Sequence, residues 1–217
     1  MNIMSPCNLK WSVGGLVINE ATDFIRDIYQ QAYQASLTEC MPWLLSMHDS
    51  QGELKAVCGI RLASEGRLFL ENYIDQPVEQ LMHHHFASGL RRERIVEIGN
   101  FAATEGAARV MYAAVCLLLN HYHFTHIVFT GTRKIRNIFA RLSLKPVLLA
   151  EASAERLGQM ADQWGSYYQY QPQLMAGELA GGQSELSRNS LLFSLFREIP
   201  AAPWISTSGV QHVSDKA

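Results

Sequence analysis

Residues 95–109 read IVEIGNFAATEGAAR. The first seven alternate with period two, which puts Ile95, Glu97 and Gly99 on one face of a strand spanning 94–103 and Val96, Ile98 and Asn100 on the other. After Ala103 small residues surround Gly106, and residues 106–122 turn into a strongly apolar helical pattern. A strand that enters a helix through glycine presents the unpaired N–H groups of the first helical turn, and glycine lets an anion approach that backbone. Glu97 is a carboxylate among apolar neighbours. Burial on both faces raises its pKa unless an arginine or several N–H groups compensate.

Working outward, FTHIVFTGT (124–132) reads as a second buried strand, RKIRNIFARLSL (133–144) as a short basic amphipathic helix, and KPVLLAEA (145–152) as a strand. Upstream, residues 20–35 place Phe24, Ile28 and Tyr29 on one helical face, with Thr22 or Asp23 as the cap. MPWLL (41–45) reads as irregular and DSQG (49–52) as a turn. ELKAVCGIRLA (53–63) and RLFLENYI (67–74) read as a hairpin through SEG, followed by a helix from Asp75 with Pro77 in its first turn. After the first helix the order is β-β-α-β-α-β-α-β, a mixed α/β layer protein. One domain covers 1–180. Beyond about 181 the rhythm fades into a loosely attached, partly irregular tail, 181–217, in which FSLFREI (193–199) docks as a short strand or helix.

The chain has 217 residues, 48% hydrophobic and 18% charged, with a formal charge of −2. This is the balance of a soluble globular protein and excludes a chain-wide nucleic-acid footprint. Four cysteines without a CxxC spacing read as reduced packing residues, which fits a cytoplasmic location. No secretory leader is legible, and the longest apolar run, Val110 to Leu119, reaches about half a membrane span, so peripheral contact is the only lipid contact expected. The His83–His85 run points in three directions along a helix, and no metal site is expected. No GxSxG elbow signals a hydrolase.

VCGIRLASEGRLFLENYI, EIGNFAA and RNIFARLSLKPV, within residues 20–150, resemble the GNAT acyltransferase fold, and within it the acyl-homoserine lactone synthase branch. LFLENYIDQPVEQ, IVEIGNFAATEGAAR, VFTGTRKIRNIFARL and WGSYYQYQPQLMAGEL, reaching residue 180, resemble the thermostable hemolysin family. The resemblance implies an α/β (α+β) protein with a GNAT-like mixed sheet flanked by helices. It implies transfer of an acyl group from coenzyme A, or from the phosphopantetheine of an acyl carrier protein, to a small amine.

On this reading Glu97 accepts the amine proton, and Arg61 and Asn100 orient the acceptor. Arg61, alone in an apolar strand, is expensive to bury without a partner, and an acceptor carboxylate would satisfy it. Backbone donors near Phe101 to Ala103 polarise the thioester carbonyl. The donor phosphate lies against Thr104, Gly106, Ala107, Ala108 and Arg109, with Arg133, Lys134 and Arg136 adding charge toward the phosphate or an acidic carrier.

Four departures from the resembled patterns stand out. Asn100 replaces an arginine, Ala103 replaces the Gln or Arg that opens the phosphate loop, and Asp49 alone remains of an acidic pair. Phe139 replaces a tyrosine that protonates the leaving thiolate, with Tyr167 and Tyr168 as alternative phenols. Two competing readings are a membrane-active toxin, suggested by the family's name, and a non-catalytic protein that binds an acyl thioester.

Overall fold

A computed structural model describes residues 6–86, 90–187, 195–196 and 198–206. Seven strands form one mixed sheet: β1 (Asn8–Gly15), β2 (Cys40–His48), β3 (Leu54–Leu62), β4 (Ile95–Ala103), β5 (His126–Gly131), β6 (Val147–Glu151) and β7 (Gln173–Glu178). Their spatial order is β1-β2-β3-β4-β5-β7-β6, and every neighbouring pair is antiparallel except β4/β5. That parallel pair needs a crossover, which helix α3 (Ala107–His121) supplies. The remaining helices among the described residues are α1 (Glu20–Tyr33), α2 (Val78–Met82), α4 (Arg133–Arg141), α5 (Leu179–Ser187) and the short α6 (Pro203–Ser206).

Strand alternation divides the core between the two faces of the sheet. Ile60, Leu62, Val96, Ile98, Ile127 and Phe129 pack with α3, α4 and α5 on one face. On the other, Ile95, Val128, Leu174 and Ala176 pack with Leu68, Leu70, Tyr73, Val78 and Met82, while Leu44, Val57 and Ala102 pack under Ile25 and Tyr29 of α1. Arg61 and Glu97 are register partners on β3 and β4, so they point to this second face.

The structure differs from the sequence reading in several elements. RLFLENYI is no strand: Phe69–Tyr73 is a 3-10 turn, and the hairpin instead joins β2 to β3 through residues 49–53. There Asp49 accepts N–H bonds from Gln51 and Glu53, and Gly52 has a φ of 88°, so the turn's own chemistry closes the hairpin. MPWLL lies inside β2, and NLKWSVGG and QLMAGE add β1 and β7. The cap of α1 is Asn19, whose side chain accepts from Ala21 and Thr22 while the Thr22 hydroxyl receives the Asn19 N–H.

Helix α5 runs across the expected boundary at 180 and packs on α3. Leu186, Leu195, Ala202 and Trp204 are buried in the main core, so the described residues past 180 are attached firmly rather than loosely. Of FSLFREI, Phe196 forms an isolated bridge with Cys7; 193, 194 and 197 lie outside the described residues. Cys40, Cys58 and Cys116 are buried thiols.

Candidate active site

The β3/β4 ladder carries one irregularity at the centre of the sheet. Gly59 pairs with Gly99 but Val57 pairs with Ala102, so β4 holds one extra residue there, a β-bulge. Asn100 occupies it with a φ of 43°, in the left-handed region where Asn is tolerated better than most residues. Its buried Oδ1 accepts the Met41 N–H at 2.7 Å, tying the bulge to β2. The bulge also corrects the expected alternation. Gly99 and Asn100 now face the same cavity as Glu97, while Phe101 is sent to the opposite face, stacked on Tyr112 of α3 at 4.3 Å. A Cβ at Gly99 would lie 2.4 Å from the Met41 Cε, so a side chain there would displace the end of Met41.

Beyond the bulge the sheet opens. The last parallel pair is Ile98↔Phe129, although β4 continues to Ala103 and β5 to Gly131. The β5-facing edge of β4 past Ile98 therefore lacks a strand partner, and a narrow cavity of about 50 Å³ lies at the divergence, lined by Phe101, Tyr112, Thr130 and Tyr167 among others.

On the second face a cavity of about 350 Å³ brings together Arg61, Glu97 and Asn100, the three expected acceptor-side residues. Glu97 is 2% exposed, and each oxygen accepts a backbone N–H, from Phe69 at 2.7 Å and from Leu70 at 2.9 Å. Burial pushes its carboxyl up to about 7, against the two N–H groups and the Arg61 charge, which pull it down. The compensation foreseen for a buried carboxylate is thus present and incomplete. Tyr73 and Trp164 complete the lining, with the Tyr73 hydroxyl 2.7 Å from that of Tyr168.

The turn that grips Glu97 is itself held. Glu71 accepts from Leu68 and Val78 N–H groups and pairs with Arg92 at 2.7 Å, while Arg92 also binds Glu79 and the carbonyls of Ala63 and Gly66. Burial acts to raise the Glu71 carboxyl, but the Arg92 bonds and the two N–H groups outweigh it and hold the carboxyl below its usual value. Sequence reasoning missed Tyr73 and the Phe69 and Leu70 amides, because LFLENY was read as a strand, and it also missed Trp164. The available signal was two acids, Glu71 and Glu97, with too few positions on solvated faces to hold both.

A third cavity, about 560 Å³ and mainly apolar, lies on the first face between α3, α4, α5, β5 and β7. Its walls include Ile98, Tyr112, Phe129, Phe139, Cys116, Leu144 and Gly182. Ile98 lines all three cavities.

The expected donor-side residues are more dispersed. Gly106 caps α3 at a φ of 82° with open space where a Cβ would be, so a glycine does mark the helix start. Thr104 does not cap it; its N–H and hydroxyl both donate to the Lys55 carbonyl. Ala107 and Ala108 begin the helix partly buried, and Arg109 is exposed. Ala103 packs toward α3. Arg133 donates to the Gln171 side chain, and Arg136 to the carbonyls of Gly131 and Gln171, so both tie the start of α4 to the loop before β7. None of these eight positions from Ala103 to Arg136 lines the three cavities described. Phe139 is buried against Tyr112 and Phe129. Tyr167 lies at the divergence with its hydroxyl 3.4 Å from the Thr130 carbonyl, whereas Tyr168 is bonded to Tyr73. His83, His84 and His85 are exposed at the end of α2, and no group of three His, Cys, Asp or Glu suited to a metal occurs among the described residues.

A seven-stranded mixed sheet, parallel only at β4/β5 and diverging there beside a buried carboxylate, defines the GNAT-like acyltransferase fold. The chain belongs to the thermostable hemolysin family, whose profile matches residues 17–183. No curated protein matches it in sequence. Among solved structures it is similar to TofI in an apo form, at 14% identity and a TM-score of 0.53, over 83% of this chain and 96% of that one. It is similar to the AHL synthase LasI at 13% identity and a TM-score of 0.52, over 81% and 91%. FeeM, an N-acyl amino acid synthase from uncultured soil microbes, aligns at 11% identity and a TM-score of 0.51, over 82% and 95%. At these identities the likeness is one of fold.

Proposed function

We propose that this protein is an N-acyltransferase, moving an acyl group from a thioester of coenzyme A or of an acyl carrier protein to an amine. The observation that carries this reading is the meeting of three cavities at Ile98: a polar one with a tuned carboxylate, the strand divergence, and an apolar pocket. An acceptor, a thioester carbonyl and an acyl chain need compartments of these kinds side by side. The descriptions of LasI and FeeM as synthases of acylated products on the same fold support it.

In the proposed reaction the amine enters the Glu97 cavity and attacks the thioester carbonyl at the divergence. Backbone donors on the open edge of β4, near Phe101 to Ala103, stabilise the oxyanion. The C–N bond forms, the C–S bond breaks, and Glu97 takes the amine proton. A thiol with a pKa near 8.5 leaves tolerably as thiolate and takes up its proton from solvent on release. Arg61 and Asn100 shape the acceptor side, Asn100 by holding the bulge. The first turn of α3 from Gly106, with Thr104, Ala107, Ala108 and Arg109, receives the donor phosphate through backbone N–H groups, and Arg133 and Arg136 face the carrier.

The test is incubation of purified protein with acyl-coenzyme A or acyl-carrier thioesters and a panel of amines, following thiol release and product mass. Thiol release matched by N-acyl product is the expected result. Donor binding without product, in every combination, would favour the non-catalytic reading. Dye release from liposomes by the protein alone, with no thioester, would favour the toxin.

A further inference from the structure

Two buried hydrogen-bond donors on the wall of the Glu97 cavity have no partner: the Arg61 Nε and the Trp164 Nε1. Their neighbours have found acceptors. Arg67 donates to the Glu71 carbonyl, Arg92 is saturated by two carboxylates and two carbonyls, and the Tyr73 hydroxyl is paired with Tyr168. Glu97, the register partner of Arg61, feels its charge and accepts the Phe69 and Leu70 amides, but no hydrogen bond joins it to the Arg61 Nε. A buried donor left unmade costs about 1–3 kcal/mol, more for a charged group. Such a cost on a cavity wall is relieved when a ligand brings the missing acceptor.

The missing acceptor is defined by what surrounds it. Both orphan groups are donors and one is cationic, so the complement is an anion with planar oxygens, for which guanidinium geometry is suited. On the adjacent strand sits the carboxylate that the proposed reaction uses for an amine. One cation and one carboxylate side by side are the charge complement of an amine and a carboxylate on a shared carbon. Tyr29, Phe69 and Tyr73 give the same cavity an aromatic wall.

We infer that the acceptor is an α-amino acid, its carboxylate held by Arg61 and Trp164 with the α-amine toward Glu97 and the side chain against the aromatic wall. This rests on the acyl-transfer reading and narrows the amine to one that carries a carboxylate. Arg61 and Trp164 are then specificity determinants that leave the carbonyl chemistry to other groups.

The test compares matched acceptors, L-phenylalanine against phenethylamine and L-phenylalaninamide, with octanoyl-coenzyme A as donor and the full chain as enzyme. The free amino acid should have a kcat/KM about 10- to 100-fold higher, the range expected for one charged hydrogen-bonded contact. That ratio should fall to about 1 in Arg61→Met and be reduced in Trp164→Phe, which keeps an aromatic ring but no N–H. Equal use of all three acceptors by the wild type, or an undiminished ratio in both variants, overturns the inference while leaving acyl transfer standing. Thermal shift without donor provides the separate readout. If no acceptor is acylated from octanoyl-coenzyme A or from the octanoyl carrier protein, the acyl-transfer reading loses its support for these amines, and a stabilisation by L-phenylalanine that phenethylamine and the amide do not give still supports the carboxylate subsite. Absence of that difference overturns it.

Discussion

Each Glu97 oxygen holds one backbone N–H, so the residue proposed as the base also pins the 3-10 turn that roofs its own cavity. The two duties separate experimentally. Glu97→Gln keeps size and removes basicity, and its amide nitrogen faces an N–H donor, which should destabilise the fold by about 1–3 kcal/mol. Turnover should be lost by two orders of magnitude or more, the scale of general-base catalysis, while donor binding persists; full activity would sink the base assignment. The pH dependence has a defined sign. A base works deprotonated, so kcat/KM should fall tenfold per unit as pH drops below about 7, and the variant should lack that limb. For stability the direction reverses. The folded carboxyl holds its proton more tightly than the unfolded one, near 4.3, so the wild type loses stability relative to Glu97→Gln as pH rises from there through about 7. Glu71 acts oppositely: its folded carboxyl is depressed, and its contribution, present above the unfolded value, disappears as pH falls through the folded one. Melting curves of wild type and variant across pH 4 to 8 check the difference.

At the scale of the elements the bulge decides the site, because without it Asn100 would leave the Glu97 face. Asn100→Ala removes the acceptor for the Met41 N–H and replaces asparagine with a residue that tolerates the left-handed region less well. Together these should cost about 2–4 kcal/mol in urea unfolding. Asn100→Gly keeps the backbone permissive and should recover about half; equal losses in both would mean that the side-chain bond, not the φ, holds the bulge. This element also marks how far the sequence was legible. Strict alternation put Glu97 and Gly99 on one face but sent Asn100 to the other, since an inserted residue shifts the period without leaving a compositional mark. LFLENYI has strand-like residues and becomes a 3-10 turn because Glu71 and Glu97 draw four backbone N–H groups of residues 68–78 to their carboxylates. β1 and β7 were overlooked for a different reason: NLKWSVGG and QLMAGE are short, and their strand character comes from pairing with β2 and with β5 and β6. The core strands β4 and β5, mainly apolar and linked by an apolar helix, were plain from sequence.

For the whole molecule, the arrangement of cavities makes a claim that single residues do not. The polar cavity and the apolar pocket lie on opposite faces of the sheet, with the small cavity at the β4/β5 divergence beside them and Ile98 common to all three linings. An acceptor and an acyl chain can then be chosen independently, each by its own face. None of the described helices is long and apolar enough to cross a membrane. The apolar pocket tests the scheme without touching the chemistry. Gly182, on α5, lines it with Leu144 and Cys116 3.6 and 3.8 Å from where a Cβ would stand, which is ordinary contact distance. Gly182→Leu should therefore fit the fold while filling the pocket. The preferred acyl-coenzyme A should become shorter, with kcat/KM for long chains falling by about 10-fold or more as several methylenes at ~0.8 kcal/mol each lose their burial. Short-chain turnover should be kept, and the preference among acceptors should not move. A uniform loss across chain lengths would show that the pocket serves stability alone, and a changed acceptor preference would show that the two faces are not independent.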